Sequence, residues 1–215
     1  VVTDRLQEAK CCARPESPRA LRILGLDPGL NHTGWGIVEV SGSRLARVAS
    51  GVIDPPAGEL GERLAYIARE VSLVARTYSP DLCAIERVFV NVNPQSTLRL
   101  GQARGAAIAA AALEGLRVEE FTPSEIKQAV TGTGTADKLM VQTMVKRLLA
   151  LEALPRTDEA DSLACAISCA NMLRLRAIEK SGETSRAYAT ARRGATGRGA
   201  RAAWTHLIEK KGNTP

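Results

Sequence analysis

Apolar residues along this chain follow two rhythms, and each change of rhythm marks an element. Leu21–Asp27 (LRILGLD) is a near-continuous apolar run ending on an acid, the pattern of a buried strand. Gly34–Val40 and Arg47–Ile53 follow as strands, after the turn signals PGLN and SGS, so the chain opens on an antiparallel meander. Between Glu59 and Tyr78 the period becomes helical, with Leu60, Leu64, Ile67, Val71 and Val74 on one stripe and Ser79-Pro80 as the stop. Leu82–Glu86 is a short strand reached by that helical crossover, hence parallel to the first. Gln95–Leu113 is an alanine-rich helix and Arg117–Phe121 a strand. Pro123–Val130, Ala136–Leu151 and Asp158–Leu175 read as helices.

This order predicts an α/β domain of the ribonuclease H type, a mixed five-stranded sheet flanked by helices. The 215 residues divide into a disordered leader (1–20), that domain (21–175) and a basic flexible tail (176–215). No apolar run reaches the ~18 residues of a membrane span, and the N-terminus has no signal-peptide core. Five cysteines without framework spacing argue against a secreted disulfide fold and for a cytoplasmic protein. Cys165 and Cys169 lie one helical turn apart, but only two histidines accompany them, so buried thiols are the better reading than zinc ligands. The net charge is +6, yet from Arg174 onward ten Lys/Arg face three Asp/Glu. The folded part is therefore not basic overall, and any affinity for a polyanion comes from local patches or from the tail.

Four acids stand apart by their surroundings. Asp27 and Glu86 each end an apolar strand, and open α/β sheets bind ligands at the carboxyl ends of their strands. Asp158 and Asp161 share a helix face at the start of a small-residue helix (DEADSLACAISCA). Buried-strand carboxylates are costly unless something pairs with them. Convergence of all four points to a hard divalent cation and phosphate chemistry. Blander readings remain for each: Asp27 bonding turn amides, Glu86 paired with Arg87 or a neighbouring strand, and Thr157 or Asp158 serving as helix cap.

Lys127 lies in SEIKQAV, and Lys138 follows glycines at a helix start (TGTGTADK), where free backbone amides attract an anion. Walker A spacing is absent, so a DNA phosphate suits these lysines better than a nucleotide. Both would otherwise be solvated helix residues. Phe89, one of only seven aromatics, sits in a loop three residues after Glu86, either stacking on an unpaired base or capping the core.

Taken together, the strings GLDPG, TGWGIV, AIERVFVNVNPQS, LGQARGAA, IKQAVTGTGTADK and DEADSLACA resemble the RuvC family of Holliday-junction resolvases, over about Leu21 to Met172. By that resemblance Asp27, Glu86, Asp158 and Asp161 are catalytic metal ligands for two Mg²⁺ or Mn²⁺ ions per active site. Lys127 and Lys138 match phosphate-contacting lysines, and Phe89 matches an aromatic that stacks near the junction centre. Some members carry His where this chain has Asp161, so an all-carboxylate site is implied. The resemblance also implies a homodimer cutting four-way junction DNA by paired symmetric nicks, with 5′-phosphate and 3′-hydroxyl ends, alongside the RuvA–RuvB branch-migration complex. The Gln95–Leu113 helix, with Gly101 and Gly105 in a small-residue stripe, is the expected dimer surface, although such a stripe more often packs on its own sheet. The tail, outside the resemblance, reads as a DNA arm or as a dispensable solvated segment. An actin-like ATPase is the rival on the same core fold, but it would need a second domain. A ribonuclease cutting RNA–DNA hybrids and a silent junction-binding protein are the other two.

Overall fold

The computed structural model describes residues 20–88 and 93–180, with the side chains of residues 179 and 180 excepted. The sequence reading of a leader, of Phe89, and of a tail beyond residue 180 lies outside the described residues.

Five strands form one sheet in the order β3-β2-β1-β4-β5. The central strand, β1 (Leu21–Asp27), runs antiparallel to β2 (Thr33–Ser41) and parallel to β4 (Leu82–Glu86). Helices cover both faces of β1, which is why its sequence is apolar without alternation. β2 and β3 (Arg44–Ile53) form a hairpin closed at Gly42, whose φ of +57° suits glycine. This hairpin starts three residues earlier than the apolar pattern implied, because Arg44 and Leu45 pair with β2 while remaining at least partly exposed.

Helix α1 (Leu60–Tyr78) is the crossover from β3 to β4, and it stops at Ser79 in the left-handed region before Pro80. α2 (Pro94–Leu113) lies beside it, and β5 (Arg117–Phe121) pairs parallel to β4. Leu24, Leu26, Ile37, Cys83 and Ile85 form the core under α1 and α2. The opposite face, including Ile23, Val38 and Ala84, is covered by α3 (Pro123–Thr131), α4 (Lys138–Leu148) and α5 (Thr157–Lys180). α4 is shorter than expected at both ends: Asp137 caps it by accepting from the Met140 amide at 2.7 Å, and Leu149 closes it. α5 runs past Leu175 to Lys180, so the helix continues into the segment read from sequence as tail.

Two glycines decide how close α5 can come. A Cβ on Gly25 would collide with the Ser162 carbonyl oxygen, and one on Gly34 with that of Asp158. The helix backbone therefore rests against the strand backbone, with Ala160, Leu163, Ala164 and Ala166 buried around the contact.

Candidate active site

Strand parity puts the acids together. In β1, Ile23 belongs to the α5 side and Leu24 and Leu26 to the other, so Asp27 projects on the α5 side. In β4, Leu82 and Ala84 face α5 and Cys83 and Ile85 face away, so Glu86 projects with Asp27. The strands pair in parallel with Leu26 beside Ile85, and one further step in that register sets Glu86 next to Asp27. α5 brings Asp158 and Asp161 over the same edge, because its first turn sits on Gly34, the β2 partner of Asp27.

Electrostatics register this convergence. Burial, then Asp161, Glu86 and Asp158, raises the Asp27 carboxyl from its ordinary 3.8 to about 7, against a smaller opposing pull from Lys138. Glu86 is raised by burial and by Asp161, with Lys127 and Lys138 pulling it down. Asp161 is raised by burial, and Asp158 adds to this while both lysines oppose it. Lys127 on α3 and Lys138 at the first turn of α4 thus share one electrostatic neighbourhood with the acids. The Cys165 thiol, buried one helical turn below Asp161, is pushed well above its ordinary range by burial and by Asp27, Glu86 and Asp161. It forms the dry floor of the site.

Two of the blander sequence readings fare poorly. Arg87 pairs with Glu120 at 3.8 Å, not with Glu86. The α5 cap bond is made by Glu159, which accepts from the Arg156 amide at 3.1 Å, leaving Asp158 and Asp161 out of capping. One expectation needs correction. The Met140 amide at the start of α4 is occupied by Asp137, so Lys138 offers an anion its ammonium more than a set of free helix amides.

Two positioning groups are not marked in the sequence. Arg104 of α2 donates to the Glu86 carbonyl at 2.9 Å and to Glu120 at 2.6 Å, fixing the end of β4 against β5. Arg63 of α1 donates to the Leu30 carbonyl and to Asn31, both at 2.9 Å, which pins the turn after Asp27. Glycine within LGQARGAA signals close packing, but nothing local marks Arg104 or Arg63 as anchors.

As they stand, no three acids or other metal-binding side chains among the described residues are drawn together tightly enough to hold an ion. The donor set still fits a hard divalent cation: all four acids are oxygen ligands, and burial with mutual repulsion has left Asp27 in need of positive charge. A groove of about 1110 Å³ beside β5, lined by Glu119, Gln128 and Met172, touches none of these acids.

A ribonuclease H-like sheet with carboxylates at the ends of its two central parallel strands defines a metal-dependent nuclease class. Within that class, residues 23–169 match the family model for crossover junction endodeoxyribonuclease RuvC. The RuvC of Thiobacillus denitrificans is 56% identical over 162 residues, covering 75% of this chain and 95% of that one. The RuvC of Hyphomonas neptunium is 53% identical over 156 residues, covering 72% and 93%. The Thermus thermophilus RuvC in complex with Holliday junction substrate superposes with a TM-score of 0.69 at 31% identity, covering 72% of this chain and 96% of that one. The yeast mitochondrial Holliday junction resolvase Ydc2, at 13% identity and a TM-score of 0.53, shares the fold. The chain belongs to the RuvC family of crossover junction endodeoxyribonucleases. Membership carries divalent-metal dependence. Among the described residues no helix is long and apolar enough to cross a membrane.

Proposed function

We propose that this nuclease resolves four-way DNA junctions with Asp27, Glu86, Asp158 and Asp161 as metal ligands and Lys127 and Lys138 as phosphate contacts. The observation that carries the reading is that four acids meet at one sheet edge, where Glu86 and Asp161 feel both lysines and Asp27 feels Lys138. Asp27, on the central strand, would hold the Mg²⁺ or Mn²⁺ ions together with the other three acids. When bound, these ions supply Lewis acidity at the scissile phosphate and an activated water. The protein's own part is to orient and to exclude. Lys127 and Lys138 hold the phosphate against the acids, and Arg104 keeps Glu86 in line with Asp27. The buried layer of Cys165, Ala164 and Leu163 keeps bulk water out from below. The products would be 5′-phosphate and 3′-hydroxyl ends.

Symmetric nicking calls for two sites related by a two-fold axis, and α2 supports a homodimer. Its packing against the sheet uses Ala103, Ala107, Ala110 and Ala111, while Gly101 and Gly105 are exposed with open space where a Cβ would stand. Leu98 and Leu113 are also exposed, at 63% and 86%, and Leu73 of α1 joins them at 56%. Phe89 as a base-stacking residue, the segment beyond residue 180 as a basic arm and association with a RuvA–RuvB complex belong to the same reading. A cytoplasmic setting suits the free thiols of Cys83, Cys165 and Cys169.

The test is cleavage of a synthetic four-way junction in Mg²⁺, Mn²⁺ or EDTA, with linear duplex and RNA–DNA hybrid as controls. Paired nicks on opposite strands, dependent on metal and sealable by ligase, are expected. Preferential cutting of the hybrid would move the protein to the ribonuclease branch of the fold.

A further inference from the structure

The turn that follows Asp27 carries a polar device that this mechanism leaves unused. Between the end of β1 and the start of β2, the exposed Asn31 accepts a hydrogen bond through Oδ1 from Arg63 Nη2 at 2.9 Å. The same Nη2 donates to the Leu30 carbonyl, also at 2.9 Å. Arg63 stands in the first turn of α1 and is half-buried. Its chemistry decides how Asn31 faces. A guanidinium carries donors only, so the carboxamide must turn its oxygen to Arg63. This leaves the two N–H donors of Asn31 Nδ2 on the side away from Arg63, with no hydrogen bond among the described residues.

The turn does not depend on this bond. Thr33 donates its hydroxyl to the Gly29 carbonyl at 2.8 Å and accepts from the Gly29 amide at 3.3 Å, and Leu30 packs into the core under α1 and α2. Arg63 is also a costly brace. Its Nε is buried and finds no acceptor among the described residues, and a buried donor without an acceptor lowers stability. What the arrangement supplies is a fixed, uncharged donor at the end of the sheet where Asp27 stands. Four residues of chain separate Asn31 from Asp27, which limits them to ~14 Å apart. A DNA footprint of ~1,000 Å² reaches roughly 18 Å from its centre, so DNA centred on Asp27 extends to Asn31 on either flank of the strand. Along such a strand a phosphate follows every ~3.4 Å of rise.

Given the nuclease reading above, we infer that Asn31 is a further DNA contact, donating through Nδ2 to a phosphate oxygen of the bound strand, and that Arg63 is the positioning residue that orients it. An amide suits this place, because it holds a phosphate without adding a positive charge that would compete with divalent ions for the acids. The contact adds affinity and register but releases no counterion, which separates it from the contacts of Lys127 and Lys138.

Binding of a labelled four-way junction, followed by fluorescence anisotropy against salt concentration, tests this in a D27N background that prevents cutting. Asn31→Ala should weaken binding on the order of 5- to 10-fold. It should leave the slope of log K against log[salt] unchanged, whereas Lys138→Ala should lower that slope by about 1. Asn31→Asp keeps an acceptor for Arg63, and with it the turn, but removes the donor, so it should bind no better than Asn31→Ala. Arg63→Met should lose as much affinity as Asn31→Ala, and the double variant should lose no more than either alone. Arg63→Lys should recover part of the loss. Thermal melting checks that each variant is folded; if Arg63→Met melts early, Arg63→Lys and the two Asn31 variants carry the test. If the parent binds and Asn31→Ala binds equally well, or Asn31→Asp binds like the parent, the inference is overturned and the nuclease reading stands. Losses that add up in the double variant would mean that Arg63 does not act through Asn31, which overturns its positioning role. A parent that ignores the junction, with wild-type protein that does not cut it, overturns both readings.

Discussion

Arg104 Nε donates to the backbone carbonyl of Glu86 at 2.9 Å, and its guanidinium also holds Glu120 on the neighbouring strand. A residue on α2 thereby fixes the strand end from which a metal ligand projects. Misplacing a ligand by about 1 Å can cost ~10²-fold in rate. Arg104→Ala should therefore lower kcat for junction cleavage by roughly that factor with a small change in junction affinity. Arg104→Lys should recover part of it, since one of the two bonds can be remade. Single-turnover cleavage with saturating protein reads the difference, and an affinity loss without a rate loss would place Arg104 on the DNA instead.

Gly25 and Gly34 are the floor on which α5 rests. Alanine at either position meets helix backbone, which cannot swing aside as a side-chain tip would. Overpacking of this kind costs typically 1–3 kcal/mol and occasionally more, and here each substitution should reach the upper end by urea denaturation. Gly34→Ala should also reduce cleavage further than its stability loss explains, because it displaces the turn that carries Asp158.

Much of the site was legible because its logic is local. Asp27 and Glu86 each close a buried apolar run, and counting by twos along LRILGLD and LCAIE places both on one face once the strands are parallel. Asp158 and Asp161 share a face by helical spacing alone. What stayed hidden depends on partners distant in sequence. Nothing near Gly34 announces that Asp158 will sit on it, and His32 finds Asp54 only through the β2–β3 register. Arg104 reads as one more cation in an alanine-rich helix. The start of α4 differs for another reason: the glycines suggest an open anion site, but Asp137 takes the Met140 amide with its own carboxylate.

Asp27 should make the protein less stable as pH rises. Its folded carboxyl titrates near 7 and its ordinary value is 3.8. Between those limits the folded state holds a proton that the unfolded state has released, so stability declines from about pH 4 to about pH 7 and then levels. Each unit is worth about 1.4 kcal/mol, which makes the full effect on the order of 4 kcal/mol. Asp27→Asn should flatten this dependence, leave the protein more stable than wild type at pH 8 without added metal, and abolish cleavage. Urea melts at pH 5 and pH 8 compare the two; an unchanged pH slope in the variant would show that Asp27 is not the group concerned.

Gly101 and Gly105 give a prediction of opposite sign. Both point into open space on α2, and glycine within a helix is worse than other residues by up to about 1 kcal/mol. Gly105→Arg should therefore leave the melting temperature of an isolated subunit unchanged or raised. In a dimer joined through this stripe the same arginine should drive subunits apart, visible as a halved mass in light scattering. Nicks on opposite strands would then become uncoupled while single nicks persist.

Metal binding should release a proton. A divalent ion among the four acids must displace the proton that Asp27 retains below about pH 7. Affinity for Mg²⁺ should climb as pH rises from 5.5 to 7.5 and change little above that. Isothermal titration in two buffers of different ionisation enthalpy should return close to one proton per site at pH 6 and nearly none at pH 8.5. Because the ion offsets the repulsion among the acids, saturating Mg²⁺ should raise the melting temperature, and EDTA should reverse this most at high pH, where all four acids are charged. Equal stabilisation at pH 5.5 and pH 8 would mean that the ion sits elsewhere than on Asp27.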